Sequence, residues 1–117
     1  MEKLTVYYDG ACPLCAREVA AYRRLPGAQG LEFIDASSCP AEALGPDLSR
    51  PIALSAMHVR RPDGTLVSGA RAFAEIWQRL PGLRWLALLW HAPGLPWLAE
   101  LAYRAFLRLR RAWRRPG

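Results

Sequence analysis

Leu4, Val6 and Tyr8 alternate with Thr5, Tyr7 and Asp9, and this period of two in β-branched and aromatic residues predicts a strand over Leu4 to Tyr8. The period then changes. Gly10 allows a turn, Pro13 suits a first helical position, and Cys15, Val19 and Tyr22 recur at helical spacing until Pro26-Gly27 ends the pattern. Leu31 to Asp35 reads as a second strand. The intervening helix makes it parallel to the first, with a right-handed crossover. Ala36 to Arg50 is rich in Ser, Pro and Gly and predicts an excursion of the chain, with at most one helical turn near Ala41 to Leu44. Met57 to Arg61 and Thr65 to Ser68 flank Pro62-Asp63-Gly64, which predicts a β-hairpin. Ala70 to Leu80 places Phe73, Ile76, Trp77 and Leu80 on one helical face. Pro81-Gly82 breaks that helix, Leu83 to Trp90 resumes it, and Pro96 starts a last one reaching about Trp113.

These elements define an α/β fold class: an N-terminal βαβ unit and a β-hairpin in one mixed sheet, with additional C-terminal helices over about residues 83 to 115. The 117 residues are expected to form one domain, and 52% hydrophobic against 22% charged residues excludes a disordered chain. Net charge is +6, but residues 1 to 99 carry 10 basic and 9 acidic groups, while residues 100 to 117 carry 6 arginines against Glu100 alone. The body is nearly neutral and the charge is a property of the last helix. The stretch Met1 to Tyr8 lacks the apolar core and cleavage site of a signal peptide, and Trp85 to Ala99 is too short and too broken by Pro93 and Pro96 to span a bilayer. The expected compartment is the reducing cytoplasm, with a peripheral membrane position left open by the basic tail.

Candidate chemistry centres on Cys12-Pro13-Leu14-Cys15. Cys12 falls at the predicted helix start, where free backbone N–H groups and the positive end of the helix dipole favour a thiolate. Cys15, one turn in, is expected to be the more buried sulfur. A C-x-x-C between strand and helix of a βαβ unit points to thiol-disulfide exchange, with Cys12 attacking a substrate disulfide and Cys15 resolving the mixed disulfide. Asp9 lies three residues before Cys12. It is the candidate base for Cys15, acting directly or through water, or else a turn and capping residue. Zinc is the alternative use of the cysteines, but only Cys39, His58 and His91 remain as further ligands, without metal-site spacing. No metal and no cofactor is expected. Cys39 is either a bystander thiol or a regulatory partner.

The sequence resembles the DCC family of thiol-disulfide oxidoreductases, named for the Asp-Cys-Cys pattern found here as Asp9, Cys12 and Cys15. YYDGACPLC at 7 to 15, MHV followed by Asp63-Gly64, the Gly69 to Trp77 helix start and Leu101-Ala102-Tyr103-Arg104 occur in family order over essentially the whole chain. The resemblance implies a thioredoxin-like fold with Cys12 and Cys15 as the redox pair and Asp9 as the third motif residue. A thioredoxin-like fold usually sets a cis-proline beside the dithiol, but Pro51 sits six residues before Met57. Ala56, Met57 and His58 are therefore expected to line the dithiol. With Pro13 and Leu14, Met57 and His58 make up the candidate substrate-binding residues. Strand alternation lets only one of Met57 and His58 face the sulfurs. His58 is then either an imidazolium beside the Cys12 thiolate or a solvent-facing residue. Family members tend to end on an Asn-Arg pair, and Leu107 to Arg110 contains no Asn.

In the last helix Leu98, Leu101, Ala102, Ala105, Leu109 and Trp113 form an apolar stripe, with Arg104, Arg108, Arg111 and Arg115 on another face. The simplest expectation docks the stripe on the core, leaves the arginines in water and pairs Glu100 with Arg104. The rival is a peripheral membrane or partner-binding module using those four arginines and Trp85, Trp90, Trp97 and Trp113 against anionic headgroups, with a non-catalytic C-x-x-C. Nucleic acid is disfavoured, because no basic stripe on the body accompanies the tail. The expected reaction partners are a disulfide-containing protein or a small thiol substrate and an electron donor of unspecified kind.

Overall fold

The computed structural model describes residues 3–113, with side chains described through residue 110. Strand β1, Leu4–Tyr8, leads into helix α1, Pro13–Arg23, and β2, Leu31–Asp35, completes the βαβ unit. After a single 3-10 turn at Ala41–Leu44 come α2, Arg50–Ser55, and the hairpin strands β3, His58–Arg60, and β4, Leu66–Ser68. Helices α3, Ala70–Arg79, α4, Arg84–Leu89, and α5, Leu95–Trp113, follow. The sheet order is β2-β1-β3-β4, with β1 and β2 parallel and the other two pairings antiparallel. This is a thioredoxin-like α/β arrangement with C-terminal helices.

Helix α2 has no counterpart in the hydrophobic pattern. Its start is nevertheless written locally: the Ser49 hydroxyl accepts a hydrogen bond from Ile52 N–H, and Pro51 occupies a first-turn position where no N–H is needed. Only Ala53 is buried along this six-residue helix, so no periodic apolar stripe exists to betray it.

Strand alternation sorts the core onto two faces. Leu4, Val6, Met57 and Val59 point to one face, where Tyr22 of α1, Ala72 and Ile76 of α3 and Leu80 just past the end of α3 cover them. Tyr7 points to the other, where Ala36, Leu44, Leu48 and Ala53 pack. The excursion after β2 is therefore the second layer of the fold. Arg50 ties it down, donating to the carbonyls of Ala36 at 2.7 Å and Cys39 at 2.6 Å.

Helix α5 seats with the face opposite to the one its apolar stripe predicts. Tyr103 and Phe106 are turned inward, Tyr103 meets Phe73 edge-on at 5.3 Å between ring centroids, and Arg110 is buried. Leu98, Leu101 and Leu109 are exposed, as are Ala102, Ala105, Arg104 and Arg108. The inward face carries the edge-on Tyr103–Phe73 contact and a hydroxyl that Met57 N–H binds, and these contacts fix the rotation of the helix. Glu100 turns inward as well. Its carboxylate accepts from Ala70 N–H at the start of α3, at 3.3 Å, which replaces the expected pairing with Arg104. The side chains of Arg111 and Trp113, and Arg115 altogether, lie outside the described residues.

Candidate active site

The chain turns sharply between β1 and α1. Asp9, 2% exposed, shapes the turn twice: its carbonyl accepts from Cys12 N–H at 3.0 Å and its Oδ1 accepts from Ala11 N–H at 3.0 Å. Gly10 is needed because its N–H donates to Asp35 Oδ1 at 2.9 Å, and a Cβ built there would stand 1.9 Å from Asp35 Oδ2. Burial alone would push the Asp35 carboxyl up, but hydrogen bonds from the Ser37 hydroxyl, Ser37 N–H and Gly10 N–H outweigh it and hold the group below its ordinary range. The turn is thus clamped to the end of β2.

Cys12 is the N-cap of α1, with Pro13 next and no acidic residue in the first turn. Cys12 therefore stands at the positive end of the helix dipole with no carboxylate in the first turn, and its side chain makes no capping hydrogen bond. All three cysteines are free thiols. The expected order of burial is reversed: Cys12 is 0% exposed and Cys15 is 7% exposed. Cys15 is the sulfur that lines a narrow cleft, with about 10 Å³ of free space, the room one water needs. The cleft walls include Tyr8, Asp9, Glu18, Met57, Tyr103 and Arg110.

Burial first, and then a hydrogen bond with the Cys12 sulfur, pushes the Cys15 thiol up to about 12, against a smaller opposing pull from Arg110. Cys15 is therefore a thiol at neutral pH. Arg110 reaches in from α5, with Nη1 3.7 Å from the Cys15 sulfur and Nη2 donating to the Leu54 carbonyl. Tyr103 anchors the same helix, its hydroxyl accepting from Met57 N–H at 2.6 Å. Glu18 sits one turn beyond Cys15 on α1. Burial raises its carboxyl, partly offset by the Tyr22 hydroxyl that donates to it at 2.8 Å, and Trp77 Nε1 donates in turn to Tyr22 at 3.2 Å.

Of the residues singled out in the sequence, the structure brings Asp9, Cys15, Ala56 and Met57 together at the cleft. Cys12 lies against Cys15 beneath it. Pro13 and Leu14 are exposed on the first turn of α1. His58 is not at the cleft. It pairs with Tyr7 across β1 and β3 and so faces the second layer, 4% exposed, with Nδ1 2.8 Å from the Ala56 carbonyl. Burial holds its imidazole below the ordinary value, which favours the neutral ring. It is neither a solvent-facing residue nor an imidazolium at the sulfurs. Cys39 also belongs to the second layer, its sulfur 4.0 Å from Arg50. Among the described residues, no three His, Cys, Asp or Glu side chains are grouped so as to hold a metal ion.

Glu18, Tyr103 and Arg110 are absent from the sequence-derived set. Glu18 had a signal, since i and i+3 share a helix face and Cys15 was already placed on α1. Tyr103 lies in the Leu101-Ala102-Tyr103-Arg104 stretch already singled out, but neither it nor Arg110 had a local signal pointing to the site, because both reach it only through the rotation of α5.

The family model of the DCC1-like thiol-disulfide oxidoreductases matches residues 6–116. An uncharacterized chloroplastic protein of Arabidopsis thaliana is 30% identical over 112 residues, which is 92% of this chain and 51% of the relative. The chain thus spans about half the length of that curated relative. No solved structure matches the chain significantly.

Proposed function

The chain belongs to the DCC1-like thiol-disulfide oxidoreductase family, and from that membership we propose that it exchanges its Cys12/Cys15 dithiol with a substrate disulfide, Cys12 attacking and Cys15 resolving. The Cys12 thiolate attacks one sulfur of the substrate disulfide, forms a mixed disulfide and expels the first substrate thiolate. Cys15 then gives up its proton to a carboxylate of the cleft and attacks the Cys12 sulfur. That step releases the second substrate thiol and leaves Cys12 and Cys15 joined. Two electrons pass to the substrate, and a dithiol reductant returns the pair to its starting state.

The observation that carries this division of labour is the Cys15 thiol, pushed up to about 12 mainly by burial. A thiol so protonated attacks poorly from rest, which leaves the first attack to Cys12, the N-cap of α1. The burial of Cys12 adds a condition. A substrate reaches that sulfur only when the groups covering it move, and the exposed Pro13 and Leu14 beside it are the first surface a substrate meets. A disulfide in a protein or in a small molecule satisfies the same chemistry.

The test is turnover with insulin or a small aromatic disulfide. Cys12→Ser abolishes it, and Cys15→Ser retains the first step and accumulates a mixed disulfide on Cys12, visible by intact mass. Unchanged turnover in either variant refutes the exchange reaction. A mixed disulfide on Cys15 in Cys12→Ser, with none on Cys12 in Cys15→Ser, reverses the roles.

A further inference from the structure

The outward face of α5 is apolar where a surface helix is expected to be polar. Trp97 is 65% exposed, Leu98 55%, Leu101 44% and Leu109 56%, and Ala105 completes a continuous strip between them. The inward face is fully engaged, through Tyr103 on Phe73 and Met57, Glu100 on Ala70 and Arg110 on Leu54. The helix therefore cannot roll to bury the strip without giving up those bonds.

Arg104 and Arg108 are exposed along one edge of the strip, on the side of Trp97. Among the described residues, no carboxylate forms an ion pair with them. From Ile76 to Gly117 the sole acidic residue is Glu100, and its side chain is turned inward onto α3. We propose that the outward face of α5 docks on an anionic lipid surface, with Leu98, Leu101 and Leu109 entering the acyl boundary and Arg104 and Arg108 meeting headgroup phosphates.

Charge complementarity selects this occupant. A second copy of the chain would bring another row of arginines and no exposed acid from its own α5. A nucleic acid would answer the arginines but leave three leucines facing a polar groove. An anionic bilayer answers both components at once, since apolar burial and attraction to its headgroups act together on such a helix. Indole rings favour the boundary between the two media, and Trp97 lies on the same face, with Trp85 of α4 also exposed.

The experiment is co-sedimentation of the full, reduced chain with vesicles of phosphatidylglycerol mixed into phosphatidylcholine, against phosphatidylcholine alone, at low salt. The expected result is sedimentation that depends on phosphatidylglycerol and falls as salt rises, with a blue shift of tryptophan emission. Leu98→Glu combined with Leu101→Glu abolishes it. Arg104→Gln combined with Arg108→Gln weakens it about thirtyfold, the effect of roughly two headgroup contacts. All four side chains are exposed, so the variants keep the dithiol reaction of the parent, which serves as the folding control. Three results overturn the proposal: no dependence on phosphatidylglycerol, binding indifferent to both double variants, or concentration-dependent self-association in the absence of lipid that the leucine variant removes.

Discussion

Arg110 Nη1 lies 3.7 Å from the Cys15 sulfur, although 95 residues separate the two in the chain. The contact places a fixed positive charge beside the thiol that must ionise for the mixed disulfide to resolve, and it acts against the burial that holds that thiol protonated. Arg110→Ala is expected to slow resolution about tenfold, equivalent to about 1.4 kcal/mol of lost stabilisation of the Cys15 thiolate. The first attack by Cys12 is affected less. Rapid-quench trapping of the mixed disulfide checks this, because the intermediate accumulates in the variant while its formation rate stays near the parent's. Arg110→Lys, which keeps charge but not the planar fork, restores part of the rate. A loss of stability alone would slow both steps equally.

Two carboxyls share the cleft with Cys15 and differ in what else they do. Asp9 Oδ1 accepts from Ala11 N–H in the turn, and Glu18 Oε1 accepts from the Tyr22 hydroxyl; burial raises the Glu18 carboxyl and so strengthens it as a proton acceptor. Glu18→Gln is expected to slow resolution by one to two orders of magnitude, as the loss of a positioned base typically does, and to flatten the acid limb of the pH profile. Asp9→Asn keeps an oxygen for Ala11 N–H and is expected to leave the fold intact, while Asp9→Ala removes the turn contact and lowers the melting temperature. If Asp9→Asn flattens the acid limb and Glu18→Gln does not, Asp9 is the base.

The βαβ unit, the hairpin and the helix boundaries were legible because each is written in local patterning: alternation in β1 and β2, Pro13 and the Cys15, Val19, Tyr22 spacing in α1, Pro62-Asp63-Gly64 in the turn. That Asp9, Cys12 and Cys15 meet in space was legible because all three sit at the strand-to-helix junction. What escaped was tertiary. Helix α2 buries Ala53 alone and has no amphipathic signature. The rotation of α5 is set by Tyr103 against Phe73 and Met57, contacts 30 and 46 residues apart that no heptad-like count of leucines contains. The order of burial of Cys12 and Cys15 was misjudged for the same reason, since depth along a helix says nothing about what packs over its first turn.

Gly10 holds the turn against Asp35, and the space for a side chain is already occupied. A Cβ there meets the Asp35 carboxylate at 1.9 Å, so Gly10→Ala must push that carboxylate off the Ser37 and Gly10 N–H groups it binds. The expected cost is about 1–3 kcal/mol, in the range of overpacking with lost charged hydrogen bonds. Urea unfolding of the reduced protein measures it. The Cys12 thiol should also react faster with iodoacetamide in this variant, because the turn that holds Cys12 in place is loosened. A variant as stable as the parent and no more reactive would mean that Asp35 does not clamp the turn.

Stability of the reduced protein is expected to fall as pH rises above neutrality, and the sign follows from Cys15. Its folded thiol is pushed up to about 12 from an ordinary value of 9.0, so in alkaline solution the unfolded chain sheds the proton while the folded chain keeps it. The folded state then binds more protons than the unfolded one, and the free energy of unfolding decreases with pH. The stabilisation is fully present below about pH 8.5, where unfolded cysteine is protonated, and is lost progressively toward pH 12. One proton bounds the slope at about 1.4 kcal/mol per pH unit. Tyr103, raised to about 12 chiefly by burial from an ordinary 10.0, and Tyr22, raised chiefly by burial as well, add declines that begin as the pH approaches 10. Between pH 8 and 9 the Cys15 contribution leads, and Cys15→Ser, which keeps both tyrosines, isolates it. Urea midpoints of the reduced parent drop over that interval, and those of Cys15→Ser drop less. Parallel trends in the two proteins would show that Cys15 ionises as readily in the folded state as in the unfolded one, and would remove the basis for assigning it the resolving role.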